Sequence, residues 1–267
     1  MLIFIFELSS NPAEITAKDK SQLNTSIEPT LTKTTALTRR CDEDQVSTSW
    51  RKCLLKHISV DVIINKRHSC EMMTLDEIRG ALNTRQHKAA KFSATPRQAS
   101  VAMILSGREK DLDVCFIRRA ERAGDPWSGQ VAFPGGKADS LDKDAHSVAE
   151  RETHEEVGLK LTANHRVGPL PTRQVATRNL VLSPFIYHID TAEKATVFAR
   201  EPAEVAHVFW VPLRHLFTPS SATELEYPMA GSGMTYPGIR YEEDVIWGLT
   251  LNVLDSFAQI MQRQLPV

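Results

Sequence analysis

Cysteine is scarce in this 267-residue chain, and what there is does not cluster. Cys41, Cys53, Cys70 and Cys115 form no C-x-x-C pair and no Cys/His group with zinc spacing. The pattern speaks against a structural zinc site or a disulfide-stapled scaffold and reads as reduced thiols in a reducing compartment. An excess of one charge is also missing, since the formal net charge is -1. Nothing global steers the chain to nucleic acid or to an acidic membrane surface. Long apolar runs are absent too. The opening MLIFIFELSS is apolar only as far as Phe6 and has no basic residue before it. A signal peptide needs about 7–15 apolar residues after a positive start, and a membrane span needs roughly 20. Glu7, Glu14 and Asp19 argue against an acid-poor transit peptide, and the terminal Gln-Leu-Pro-Val is not an SKL-type tripeptide. The cytoplasm is the expected compartment, with the mitochondrion left open.

What is present has the balance of a soluble globular protein, with 42% hydrophobic and 24% charged residues. The order it predicts is uneven. Ser9–Gln45 shows no sustained helical or strand period, so residues 1–73 are expected to be a disordered or weakly ordered extension. Within it only Val60–Ile64 (VDVII) is strand-like. Thr74 with Glu77 reads as a capping box opening a helix to about Asn83. Strands are predicted at Gln98–Leu105, Leu112–Arg118, Gln130–Phe133, Arg166–Leu170, Leu180–Ile189 and Val205–Val211. A helix is predicted from about Asp144 to Val157, stopped by Gly158, and another over Trp247–Met261. Pro212–Phe217 reads as a short helical turn. Tyr227–Tyr241, rich in Gly and Pro, reads as a long loop or loose hairpin. Together these predict one mixed α/β domain over residues 74–267.

The stretch FPGGKADSLDKDAHSVAERETHEEVGL, Phe133 to Leu159, is where chemistry concentrates. Glu152, Glu155 and Glu156 sit at i, i+3 and i+4 of the predicted helix, so they face one side. Like charges at that spacing cost a helix roughly 0.2–0.5 kcal/mol per pair. A solvated acidic face is the ordinary fate of such a run. Converging carboxylates are also what a hard divalent cation takes as ligands, and Mg2+ is commonly held together with substrate phosphates. Arg151, four residues before Glu155, can pair with that carboxylate and aim it. Gly135 and Gly136 let the backbone come close, which makes the Gly136 carbonyl a further candidate ligand.

Gly-Gly, a spaced loop, then Arg-Glu-x-x-Glu-Glu-x-Gly-Leu resembles the Nudix box, G-x5-E-x7-R-E-U-x-E-E-x-G-U, where U is bulky and apolar. Arg151, Glu152, Glu155, Glu156, Gly158 and Leu159 match it. Thr153 stands where U is usual. Gly136 lies fifteen residues before Arg151, one more than usual, with Asp142 at the position of the first glutamate. The longer spacing, that aspartate, the run GQVAFPGG (Gly129–Gly136), Glu204–Leu213 and Ile246–Thr250 are similar to the coenzyme A pyrophosphatase branch of the family. The resemblance covers Gln98–Met261. The branch also carries an upstream motif that opens Thr-x-Arg-Ser/Ala, with a further Arg four residues before the last lone Gly. Arg119-Ala120 fits the opening. Asp125 stands in place of the further Arg, in a loop one residue longer.

This resemblance implies an α/β (α+β) fold, an α/β/α sandwich around a mixed sheet. It implies hydrolysis of a nucleoside diphosphate derivative with Mg2+ or Mn2+. Glu152 and Glu156 are then the principal metal ligands, with Glu155 sharing the metal or activating water and Arg151 supporting catalysis. The general base is open between Glu155 and distal carboxylates such as Glu201 or Glu204. Arg118, Arg119 and Arg122 are candidate phosphate contacts. Arg118 and Arg119 are strand neighbours facing opposite ways and cannot line one pocket together. Trp127 is a candidate stacking partner for adenine, and His154 is expected in solvent. Ser128 has no matched His/Asp arrangement, so a serine hydrolase is set aside. Coenzyme A or its acyl esters lead the substrates implied. NADH, ADP-ribose or another nucleotide conjugate is the alternative. A non-catalytic nucleotide-binding module is a third reading, disfavoured because such modules tend to lose the carboxylates kept here. A homodimer is expected by resemblance alone.

Overall fold

In a computed structural model the described residues are 73–84, 92–95, 97–125, 127–175, 179–226 and 235–267. Except for Met73, the expected extension over residues 1–73, with its strand-like Val60–Ile64, lies outside them. The hairpin of β1 (Gln98–Arg108) and β2 (Asp111–Arg119) is the centre of the main sheet. Val114 and Phe116 of β2 join Met103 and Leu105 of β1 in one core cluster. Cys115 and Ile117 join Ala102 and Ile104 in a second. Alternation of side chains along a strand thus builds a core on each face of the sheet.

β1 pairs in parallel with β7 (Leu180–Ile189), which also carries β5 (Arg166–Pro169) and β6 (Arg173–Val175). On the other side of the hairpin, β2 pairs with β8 (Val205–Pro212). β1 and β2 are in register only over Leu105–Arg108 and Asp111–Val114. Beyond that point β3 (Val131–Ala132) joins β2 and β4 (Gly135–Lys137) joins β1. The FPGG segment is wedged into this split. Among the described residues the result is an eight-stranded sheet, mixed as expected.

Helix α1 (Leu75–Asn83) opens with the predicted capping box, the Glu77 N–H donating to Thr74 Oγ1 at 3.2 Å. Its Ile78 and Leu82 enter the first cluster. Helix α2 (Ala145–Val157) lies on the opposite face, sending Ala149 and Val157 into the second cluster. A one-turn helix, α3 (Thr191–Lys194), comes after β7. The first face is completed by α4 (Gly248–Ile260), whose Leu254 and Phe257 are buried there. No helix among the described residues is long and apolar enough to cross a membrane.

Of the two readings of Tyr227–Tyr241, the long loop is corrected and the hairpin is sharpened. Within Tyr227–Tyr241, Thr235–Tyr241 is a regular strand, β10, and residues 227–234 lie outside the described set. β10 is the central strand of a three-stranded antiparallel sheet, between β9 (Ala222–Glu226) and β11 (Asp244–Trp247). Pro237 and Gly238 hid it, because proline is ordinarily confined to edge strands and glycine weakens a strand interior. The packing explains the glycine: a Cβ on Gly238 would lie 2.7 Å from Val245 Cγ1.

Candidate active site

The site is built where α2 meets the FPGG turn. Asp144 caps the helix, accepting the Ser147 N–H at 2.7 Å, and Gly158 ends it in the left-handed region at φ 75. One flank of α2 is anchored to the sheet and its neighbours. Arg166 Nε donates to Glu150 Oε1 at 2.7 Å, and the Tyr187 hydroxyl meets that oxygen at 3.4 Å and His146 Nδ1 at 3.0 Å. His146 also stacks on Phe185, with 3.8 Å between ring centroids.

The other flank carries the glutamates. Glu156 is only 3% exposed, and its Oε2 accepts the Gly135 N–H at 2.8 Å. Gly135 sits at φ 148, and a Cβ there would lie 2.3 Å from the Ser100 carbonyl oxygen. At Gly136 a Cβ would lie 2.3 Å from Glu152 Cδ, so the carboxyl rests directly on the glycine backbone. The turn needs both glycines for these close approaches.

Arg151 answers the like-charge problem posed by the sequence. Its Nη1 donates to Glu152 Oε1 at 2.9 Å and to Glu155 Oε2 at 3.0 Å. The predicted pairing with Glu155 is therefore present, and it is one of several bonds. Nε and Nη2 grip Asp142 at 3.2 and 2.9 Å, and Nη2 also reaches the Lys137 carbonyl at 3.0 Å. Asp142, in the sequence only a motif position, turns out to hold Arg151 in place. Burial works against its charge, yet Arg151 and the Asp139 N–H keep its carboxyl below the usual range.

Glu156 is different. Burial pushes its carboxyl up to about 8, and Glu152 and Glu204 add to the effect against the Gly135 N–H and Arg119. Burial likewise raises Glu152, opposed by Arg151. Among the described residues no three His, Cys, Asp or Glu side chains already converge as a metal cage. The Arg151 guanidinium bridges Glu152 and Glu155. The donor chemistry nonetheless fits a hard divalent cation: carboxylate oxygens, one of them deeply buried with no ion-pair partner among the described residues, beside a glycine turn on which Glu152 rests.

Other predicted residues fall around this flank. Arg119, on the α2 face of β2, gives Nη2 to Asp125 Oδ2 at 2.9 Å, while its shielded Nε has no hydrogen-bond partner among the described residues. Arg118 faces the other way, with Nη1 on Asp244 Oδ1 at 3.3 Å, so the two arginines do part as alternation requires. Arg122 gives Nε to the Ala203 carbonyl at 2.7 Å and Nη2 to Glu204 at 3.3 Å. Glu204 acts electrostatically on both Glu152 and Glu156, whereas Glu201 contributes its carbonyl to the turn before β8. The Trp127 N–H donates to Asp125 Oδ1 at 3.0 Å. His154 is exposed and meets Arg200 at 2.8 Å. Thr153 is fully buried with its hydroxyl unpartnered among the described residues, which shows why an apolar residue is usual there.

Residues 96–230, about half the chain, match the NUDIX domain. The chain belongs to the Nudix hydrolase family. An uncharacterized Nudix hydrolase, NudL of Yersinia pestis, is 33% identical over 173 residues, covering 63% of this chain and 81% of that one. An uncharacterized protein of Schizosaccharomyces pombe is 33% identical over 170 residues. That match covers 54% of this chain and only 50% of the yeast protein, so the chain spans about half of that relative. Among solved structures, a MutT/nudix family protein from Enterococcus faecalis is similar with a TM-score of 0.40 at 16% identity, over 82% of this chain and 73% of its own. The NUDIX domain of Shewanella oneidensis NrtR complexed with ADP ribose gives 0.36 at 19%, over 46% of this chain and 75% of its own.

Proposed function

We propose that this Nudix hydrolase cleaves the diphosphate bond of coenzyme A or acyl-coenzyme A, releasing 3',5'-ADP and 4'-phosphopantetheine or its acyl form. The observation that carries the reading is Glu156, a buried carboxylate with no ion-pair partner among the described residues, set beside Glu152 at a double-glycine turn. Glu152, Glu155, Glu156 and the Gly136 carbonyl would hold Mg2+ or Mn2+. When bound, the cation neutralises diphosphate charge and acidifies a coordinated water. Arg151, gripped by Asp142, orients Glu152 and Glu155. Arg119, whose shielded Nε has no hydrogen-bond partner among the described residues, would meet a phosphate oxygen once its side chain turns from Asp125. Glu204, held by Arg122 at 3.3 Å, is the distal carboxylate this reading assigns as proton acceptor. Arg122 then serves the site through Glu204, and Trp127 lies in the loop beside Arg119 as the candidate contact for the nucleoside.

The resemblance of Gly129–Gly136 and Asp142 to the coenzyme A branch supports that substrate. Asp125, standing where the branch has arginine, favours a second reading in which NADH, ADP-ribose or another nucleotide conjugate is cleaved. A product assay on the full chain with Mg2+ or Mn2+ separates them, with each substrate offered alone and Glu156→Gln as control. Coenzyme A cleaved to 3',5'-ADP, with a dead control, supports the first reading. Cleavage of another conjugate alone replaces it with the second. No cleavage of any, with nucleotide still bound, leaves a binding module.

A further inference from the structure

A cavity of about 200 Å³ lies on the sheet face away from the glutamates. Its described lining includes Ser128, Gly129 and Gln130 of the loop after β2, Arg118 of β2, Val131 of β3, and Leu225, Asp244, Val245 and Trp247 of the small sheet. We propose that this cavity, rather than the ring of Trp127, receives the nucleobase of the substrate while the diphosphate lies at the glutamate flank. The inference rests on the diphosphatase reading above.

Size comes first. Pockets for whole drug-sized ligands run roughly 300–1,000 Å³, so this one suits a single ring system. An extended amide chain would not be contained by it. Chemistry comes next. Trp247 offers a ring wall, and Val131 and Val245 offer apolar surface. The Arg118 guanidinium gives Nη1 to Asp244 Oδ1 at 3.3 Å, its one side-chain hydrogen bond among the described residues. Asp244 is 9% exposed and also meets His207 Nε2 at 3.0 Å. With Glu243 in the lining as well, carboxylates outnumber cations. That balance disfavours a phosphate. A hydrocarbon would leave the Arg118–Asp244 pair desolvated without compensation. A neutral heteroaromatic ring with both donors and acceptors on its edge satisfies all of these at once.

Position joins the cavity to the site. Arg118 and Arg119 are the last two residues of β2, with Cα atoms about 3.8 Å apart. One lines the cavity, and the other acts on Glu156. The sheet ends there, and the next loop serves both sides. Its Asp125 holds Arg119, and its Ser128 and Gly129 line the cavity. A ligand rounding the end of β2 would place base and diphosphate on the two faces.

The test compares calorimetric binding of 5'-AMP and ribose 5-phosphate by the full chain, wild type and Trp247→Leu, neither probe being cleavable at a diphosphate. The expected result is AMP bound at least about ten-fold more tightly than ribose 5-phosphate, with that preference lost in Trp247→Leu. Should Trp247→Leu fail to fold, Val245→Met, which narrows the cavity, is expected to weaken AMP and leave ribose 5-phosphate unchanged. Equal binding of the two probes by wild type, or a preference that survives in the folded variant, overturns the proposal. Failure of the diphosphatase reading shows separately, as no product from any diphosphate substrate while the AMP preference stands.

Discussion

Helix α2 carries acidic residues on two flanks and uses them in opposite ways. On one flank Glu150 is matched by the Arg166 guanidinium at 2.7 Å and the Tyr187 hydroxyl. On the other, Glu156 is more deeply buried, yet among the described residues the only hydrogen-bond partner of its carboxyl is a backbone N–H. A partnered carboxylate fixes a helix. A buried, unpartnered one costs stability unless something positive arrives. The difference separates the anchor of this site from its working edge, although both are glutamates of one helix.

The sharpest way to break the comparison is Glu156→Gln. Hydrolysis is expected to fall roughly 100- to 1,000-fold in kcat. Stability of the chelated protein should not fall, because no buried charge is lost. The native carboxyl of Glu156 stands at about 8 against an ordinary value of 4.5. Between those values the folded protein holds a proton that the unfolded chain has released. Metal-free wild type should therefore lose stability as pH rises through that window, and the variant should lack this slope. Denaturant unfolding in EDTA across roughly pH 5–8 measures it.

Next in size is Gly136→Ala, whose Cβ would meet Glu152 Cδ at 2.3 Å. Displacing that carboxyl is expected to cost roughly 100-fold in kcat, read in the same product assay with circular dichroism to confirm folding. Asp142→Asn loosens Arg151 without touching a glutamate. It should lower kcat by about ten-fold, a little over about 1 kcal/mol. On the anchoring flank, Glu150→Gln should leave kcat within about two-fold and lower stability by about 1–3 kcal/mol, seen by urea titration. The smallest effect expected is a gain: Thr153→Val removes a buried hydroxyl with no described partner and should stabilise by about 1 kcal/mol.

The working edge was more legible in the sequence than its supports. Glu152, Glu155 and Glu156 share a flank because of helical spacing alone, and the helix signals at Thr74 and Gly158 come from local chemistry. The grip of Asp142 on Arg151 depends on how the loop after β4 folds back, which spacing does not encode. Glu204 is far from the glutamates in sequence. Its approach depends on β2 pairing with β8, where Arg119 stands opposite Val205. The Glu150–Arg166–Tyr187 anchor likewise joins three separate elements. Pro237 and Gly238 misled in the other direction, since local breaker signals lost to pairing with strands on both sides.

The most direct measurement is calorimetric titration of Mn2+ into the wild-type chain, Glu156→Gln and Glu150→Gln. The expected result is binding by wild type and Glu150→Gln alike, weakened at least about ten-fold in Glu156→Gln. Undiminished binding by Glu156→Gln, or equal losses in both folded variants, would contradict the division of labour between the two flanks.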